Sequence, residues 1–474
     1  MSLTRKELLC FEEEFFENSS EKEITIPEDI SFPANLKFSN SGRAMITIKG
    51  YSINDKKLYG NFQQLISDIT DKTFSLEEQA LAIWTFLVQK AYGYPSPHPG
   101  TEAHDPIKFF HVYGYGLCDD FSTVFFAICR VIGIPARVIS LHGHVVPEAE
   151  YDGKWHIFDP AYAIIYRDSA GTIAGVEDIE NDLSLLDNPE HPNEPYELFG
   201  RDLNVDRLKE IFGNRSTTRD LTYYYGALSS NTHEISIHLR PGEAINFNFK
   251  SHEAVFRSCD SPNFPPVFGN GTMKYVPFLN KQAKEYMVDS SSLSSLDESE
   301  KVVVFKNSSN KEDYFELSFL SPFPILKGGI NINLTVLRGK ISIECSRDRK
   351  TWKSIWDGGP GNLSPRIIDF SGQFINFDGN RPSSQFIRFE ENNSGKNYLF
   401  QDPQGLPSYH LFMHFRLLPG TEVFLNNLEI TLLFQFAPLN LPVLLGGKNN
   451  IKLNLEGKGT LTMSQIEGDD LCAY

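Results

Sequence analysis

The chain has 474 residues, 41% of them hydrophobic, and a net charge of −17. That length exceeds one ordinary hydrophobic core, and the apolar fraction argues against disorder, so two or three domains are expected. The acidic balance argues against nucleic acid or an anionic membrane surface as a partner and leaves a peptide or a neutral sugar open.

The N-terminus carries no apolar h-region, so a cytoplasmic location is expected, although a removed signal would look the same. The best candidate for a membrane span, residues 428–445, is broken by Glu429, Gln435, Asn440 and two prolines, so no span is expected. Six cysteines are scattered without a Cys-x-x-Cys pair, which fits a reducing compartment or a large chain that needs no disulfides.

In chain order, residues 1–60 are acidic and then strand-like, and are expected as an N-terminal extension packed on the core after it. Ser75 and Glu78 form a capping box that opens a helix with a wide apolar face: Ala80, Leu81, Ile83, Trp84, Leu87 and Val88. Residues 94–106, rich in Pro, His and Gly, read as a solvent loop or a substrate-binding loop. Then Tyr113-Gly114-Tyr115-Gly116 delivers Cys118 to the start of an apolar helix that stops at Gly133-Ile134-Pro135. The helix N-terminus favours a thiolate, whereas Asp119 and Asp120 oppose it. Strands come next at residues 136–143, 144–151 and 154–159, the last two joined by Asp152-Gly153 as a two-residue hairpin loop. Residues 205–212 read as a helix. Beyond Leu228, period-two alternation dominates, for example Leu411, Met413, Phe415 and Leu417, which is the pattern of antiparallel β-sandwiches. The expected units are 1–60, 61–228, 229–300 and 301–474, with 229–474 forming one or two domains.

A nucleophilic cysteine needs a base and a group to orient that base. In the register set by the Asp152-Gly153 loop, Val146 lies opposite Asp159. His144 and Asp159 are then diagonal neighbours on one face, and His156 faces the other way. His142 shares the favoured face but lies further from the turn. Pro147 sits inside the first strand, where a bulge would shift the register and reverse every face. Each residue also has a plainer role open to it: Cys118 and Trp155 as packing residues, His144 as a hydrogen-bonded strand residue and Asp159 as a turn residue before Pro160.

Gly116-Leu117-Cys118-Asp119, Gly133-Ile134-Pro135-Ala136-Arg137-Val138, His144 and Gly153-Lys154-Trp155-His156-Ile157-Phe158-Asp159-Pro160 together resemble the core of the transglutaminase-like superfamily. The resemblance covers about residues 60–165. It implies an α+β, papain-like core followed by antiparallel β-sandwich domains. It also implies Cys118 as nucleophile, His144 as base and acid, and Asp159 as the orienting group. The chemistry implied is thiolate attack on an amide, a thioester, and resolution by water or an amine, with no cofactor and no metal. Substrates would be protein, peptide or glycoconjugate amides. The oxyanion would be held by the Cys118 N–H and a side-chain donor, for which Tyr113, Tyr115 and His111 stand as candidates. Val146-Pro147 departs from the family pattern, which commonly has an aromatic residue two after the histidine. The run from Ser346 to Trp352 with Trp356 is similar to a strand-loop of jelly-roll modules that accompany carbohydrate enzymes, and so points to a carbohydrate at the sandwich. The alternative is an inactive scaffold of the same family that holds a glycan or protein partner.

Overall fold

The structure is a computed structural model. It describes residues 8–16, 20–26, 35–71, 73–94, 102–192, 204–228, 232–249, 251, 268–278, 295–297, 302–370, 377–378, 381–382, 388–392, 395–399, 407–457 and 459–467. Among these residues, large antiparallel sheets dominate, as the period-two patterning predicts.

The strands of the N-terminal segment find partners far away in the sequence. Strand β1 (Asn35–Asn40) pairs with Glu243–Asn248 and with Thr460–Glu467, both distant in sequence. Strand β2 (Ile46–Ile53) pairs with Ile237–Leu239 and with Gly447–Gly457. Both ends of the chain therefore close the same β-rich region. The physical reason is burial: Leu36, Phe38, Ile48 and Ile53 are almost wholly inaccessible and share one apolar core with Ile451, Leu453 and Met463 and with Ile83 and Trp84 of the helical segment. Local sequence shows the alternation but not its distant partners.

Between β2 and its neighbour at Ile237–Leu239 the chain makes a long excursion that carries the helices. Helix α1 (Leu76–Lys90) starts at the capping box, with Ser75 Oγ accepting from the Glu78 N–H at 3.2 Å and Glu78 accepting from the Ser75 N–H at 2.7 Å. It ends three residues before Gly93, because Tyr92–Gly93 pairs in parallel with Tyr115–Gly116. Those bonds, Tyr92 N–H to Gly114 O at 3.0 Å and Tyr94 N–H to Gly116 O at 2.9 Å, hold the glycine loop in place. Gly114 takes a φ of +71°, which glycine adopts without strain. Helix α2 (Cys118–Ile132) comes next and ends at Gly133 with φ +86°. It packs on β3 (Ala136–Leu141) and β4 (His144–Tyr151), which continue into β5 (Lys154–Ile157). Phe125 of α2 stacks on Phe158 with ring centroids 5.3 Å apart, both fully buried.

The β4–β5 register is the one the two-residue loop predicts: Tyr151 opposes Lys154 and Glu148 opposes Ile157. It persists past Pro147, whose carbonyl accepts from the Phe158 N–H at 3.1 Å. The N–H that proline lacks would face the Phe158 carbonyl, at the rung where β5 has ended, so no bulge is needed. Asp152 and Gly153 both have positive φ, as a tight hairpin turn with matching twist requires.

Residues 102–106 are buried, not solvent-exposed. Glu102 accepts from the hydroxyls of Tyr113 at 2.7 Å and Tyr409 at 2.6 Å and pairs with Lys108 at 2.8 Å, so it ties the helical segment to the β-region. Residues 95–101, the rest of that stretch, lie outside the described residues, as does most of the Ser-rich run near residue 295. The turns at Pro241-Gly242 and Pro419-Gly420 each join two strands that are not paired with each other: the first carries the chain from one sheet to another. Among the described residues, no helix is long and apolar enough to cross a membrane.

Truncating Phe125 would open a cavity between α2 and the hairpin. Phe125→Ala is expected to cost about 3–5 kcal/mol of unfolding free energy, read as a lowered urea midpoint at unchanged slope.

Candidate active site

Cys118 is the first residue of α2, so its backbone N–H belongs to the unsatisfied first turn of a helix. Cys118 is partly buried, whereas Cys129, in the same helix, is fully buried and burial pushes its thiol pKa up. Two contacts fix the first turn. Asp120 Oδ2 accepts from the Leu117 N–H at 2.8 Å, reaching back as the acidic member of a capping box does. Ser122 Oγ lies 2.6 Å from Cys118 O and 3.1 Å from Val145 O, so it joins the cysteine turn to the strand that carries His144. Sequence reading took Asp120 only as a charge opposing the thiolate and missed Ser122. The signal for Asp120 was present, since an acidic residue three after a loop residue is a helix-start pattern; for Ser122 there was none.

His144 opens β4 and is 2% exposed. Its Nε2 meets Asp159 Oδ2 at 2.7 Å. The second carboxylate oxygen, Oδ1, accepts from the N–H groups of Ala161 at 3.0 Å and Tyr162 at 3.1 Å. Asp159 is thus both the turn residue before Pro160 and the partner of His144, one oxygen for each role. The Trp84 indole N–H donates to the Asp159 carbonyl at 3.1 Å, so α1 clamps the same residue from behind. Tyr162 packs obliquely on the imidazole, with centroids 4.7 Å apart.

Burial alone would favour neutral His144. The Asp159 carboxylate and its hydrogen bond, together with a hydrogen bond and charge from the Cys118 side chain, outweigh it and hold the imidazole pKa up to about 10. Of the three residues chosen from sequence, His144 and Asp159 are hydrogen-bonded to each other, and the Cys118 side chain is among the groups that act on the imidazole. His156 lies on the other face: its ring nitrogens face the carbonyls of Ile173 and Tyr151, and it stacks on Tyr151 at 3.7 Å. His142 is exposed and meets the Asn214 side chain at 3.2 Å.

The side chains considered for oxyanion binding are engaged elsewhere. Tyr113 donates to Glu102, His111 Nε2 accepts from the Tyr59 N–H at 3.1 Å, and the Tyr115 hydroxyl lies 3.5 Å from Gln435 Nε2. Trp155 is half-buried under the Arg137 guanidinium, 4.3 Å from the ring centre, and Arg137 in turn pairs with buried Glu148 at 2.6 Å. Among the described residues, His104, Asp119 and Asp120 gather ligand-type atoms within 4.8 Å of one another, but there the imidazole itself stands between the carboxylates as an ion pair.

Residues 63–160 match the family model described as the transglutaminase-like superfamily. This segment is a transglutaminase-like superfamily domain. Cys118, His144, Asp159 and the supporting Trp84, Asp120 and Ser122 all fall inside it. A large β-rich region lies beyond it. A comparison with curated proteins returned no match. Two solved structures are similar over 36% of this chain: a mutant of a family 29 carbohydrate-binding module, at 10% identity, 84% of its own length and a TM-score of 0.15, and a second family 29 carbohydrate-binding module, at 9% identity, 82% and 0.14. Likeness at that level carries no argument for this chain.

The His144 pKa lies above its unfolded value, so the stability that the His144–Asp159 pair contributes is fully present below about pH 6.5 and is lost as pH rises through about 10. Asp159→Asn is expected to return the imidazole toward the ordinary range near 6.5, followed as the titration of its ring protons by NMR.

Proposed function

We propose that the transglutaminase-like domain, as a papain-like α+β unit spanning about residues 61–228, cleaves an amide or peptide bond through a thioester on Cys118. The observation that carries this reading is the buried imidazole of His144, bonded through Nε2 to Asp159 and raised in pKa by Asp159 and, to a smaller extent, by the Cys118 side chain.

In this reading the imidazolium and thiolate form the resting pair. The Cys118 sulfur attacks the amide carbonyl carbon, and the developing oxyanion meets the Cys118 backbone N–H at the start of α2. His144 then gives its proton to the departing amine as the C–N bond breaks, leaving a thioester. Neutral His144 takes a proton from water, the hydroxide adds to the thioester, and the sulfur leaves as thiolate with the imidazole again protonated. Asp159 keeps the ring oriented and favours its charged form. Water serves as the default acceptor in this reading. The β-rich region fits a substrate-holding role: on its outer sheet surface Tyr314, His414 and Trp352 stack in sequence, at 4.0 and 3.4 Å between ring centroids, beside Arg349 and Glu316. Rings and charged groups of this kind suit a glycan portion of the substrate.

The test is hydrolysis of a panel of peptide p-nitroanilides, with acyl-enzyme followed by intact mass. Cys118→Ala is expected to abolish both turnover and adduct. Asp159→Asn is expected to lower kcat by roughly 10²–10⁴-fold while leaving the adduct on Cys118. Turnover that survives in Cys118→Ala overturns the reading. Activity of the wild-type protein is expected to decline as pH rises through about 10, where His144 loses the proton it must donate.

A further inference from the structure

Two aspartates come directly after the cysteine, and a carboxylate beside a thiol raises its pKa. At the start of α2 that repulsion would act in a poorly solvated place, since Asp120 is 1% exposed. The structure puts a third group there. His104, buried to 1% exposure, comes from the stretch before the glycine loop, with Nε2 3.1 Å from Asp120 Oδ1 and 3.7 Å from Asp119 Oδ2. The other oxygen of Asp120 binds the Leu117 N–H, one residue before the cysteine. The packing admits little slack: a Cβ on Gly116 would sit 2.7 Å from both Asp120 Cβ and a Phe109 ring carbon.

We propose that His104 is a positioning residue for Cys118: its imidazolium bridges Asp119 and Asp120, cancels the charge that opposes the thiolate, and anchors the helix start through Asp120. This rests on the reading of Cys118 as the nucleophile. The charged groups around the thiol are then His144 from β4, Asp119 and Asp120 from α2, and His104 from the preceding stretch. With Asp159 behind His144, two cations face three carboxylates; without His104 there would be one cation against three, so His104 offsets the repulsion while the helix N-terminus favours the thiolate.

The protonation of His104 supports the arrangement. Burial disfavours its charged form, but the adjacent Asp119 and Asp120 carboxylates raise its pKa to about 9. Against its own burial, Asp119 is held below the ordinary carboxylate range by His104, whereas burial pushes Asp120 up. A group raised in this way contributes fully below about pH 6.5 and is lost as pH rises through about 9. The bridge therefore stands at neutral pH.

The experiment is alkylation of Cys118 by iodoacetamide in the full-length protein across about pH 4–10, read on the Cys118 peptide by mass spectrometry. His104→Gln keeps hydrogen-bonding capacity but removes the charge. It is expected to raise the apparent thiol pKa by about one unit or more, or roughly tenfold slower alkylation near neutral pH. His104→Gln with Asp119→Asn is expected to recover part of that loss, which a merely structural role for His104 would not. Asp119→Asn alone, at a partly exposed side chain, is expected to lower the thiol pKa and stays informative if His104→Gln does not fold. An unchanged profile in His104→Gln, no recovery in the double variant, or an unshifted profile in Asp119→Asn overturns the proposal. A wild-type thiol of ordinary pKa that still rises in His104→Gln would overturn the nucleophile reading and keep the bridge.

Discussion

The division of labour within one carboxylate organises the site. Asp159 gives Oδ1 to two backbone N–H groups of the turn just after it and Oδ2 to the His144 ring. Because the turn fixes the carboxylate, the imidazole cannot rotate without giving up a buried, charge-assisted bond. The carbonyl of Asp159 is itself bound by the Trp84 indole, so helix α1, the hairpin and the imidazole are locked through a single residue. Such a group costs little entropy to hold in place at the moment of reaction, because folding has already ordered it.

The rest of the domain holds the helix start that carries Cys118. The helix start is pinned on three sides: by the short parallel pairing of Tyr92–Gly93 with Tyr115–Gly116, by Ser122 against Val145, and by Asp120 against Leu117. The β-region takes part in this. Ala437 N–H donates to His111 O at 2.9 Å, and the Asn440 side-chain amide donates to the carbonyls of Lys90 at 2.7 Å and Phe110 at 2.8 Å. These bonds satisfy buried carbonyls at the end of α1 and in the turn before the glycine loop, where an orphaned polar group would be costly. The β-region is therefore part of the scaffold that sets the cysteine loop, and not only a neighbour of it.

Buried charge obeys the same constraint. Buried charges are set against partners of opposite sign: Arg240 is held by both oxygens of Glu243 at the corner between sheets, buried Glu148 by the partly exposed Arg137 at the hairpin, His104 by Asp119 and Asp120, and His144 by Asp159. Buried pairs of this kind add little net stability and a great deal of geometric definition.

What the sequence determined by itself was local. The capping box at Ser75, the helix stop at Gly133-Ile134-Pro135, the Asp152-Gly153 turn and the strand alternation after Leu228 all arise from short-range sterics and from the period of the apolar residues. The register of the hairpin belongs to the same class, because a two-residue loop allows one pairing, and that pairing placed His144 beside Asp159 and His156 away from it. The tertiary structure alone decided which distant segments meet. Nothing local to residues 35–53 names the strands near the C-terminus as their partners, and nothing in the loop before residue 106 marks His104 as the counter-charge to Asp119 and Asp120. Such contacts are selected by the burial of whole apolar surfaces and by the cost of leaving a buried charge unpaired, and both are sums over the folded molecule that no short stretch of chain contains.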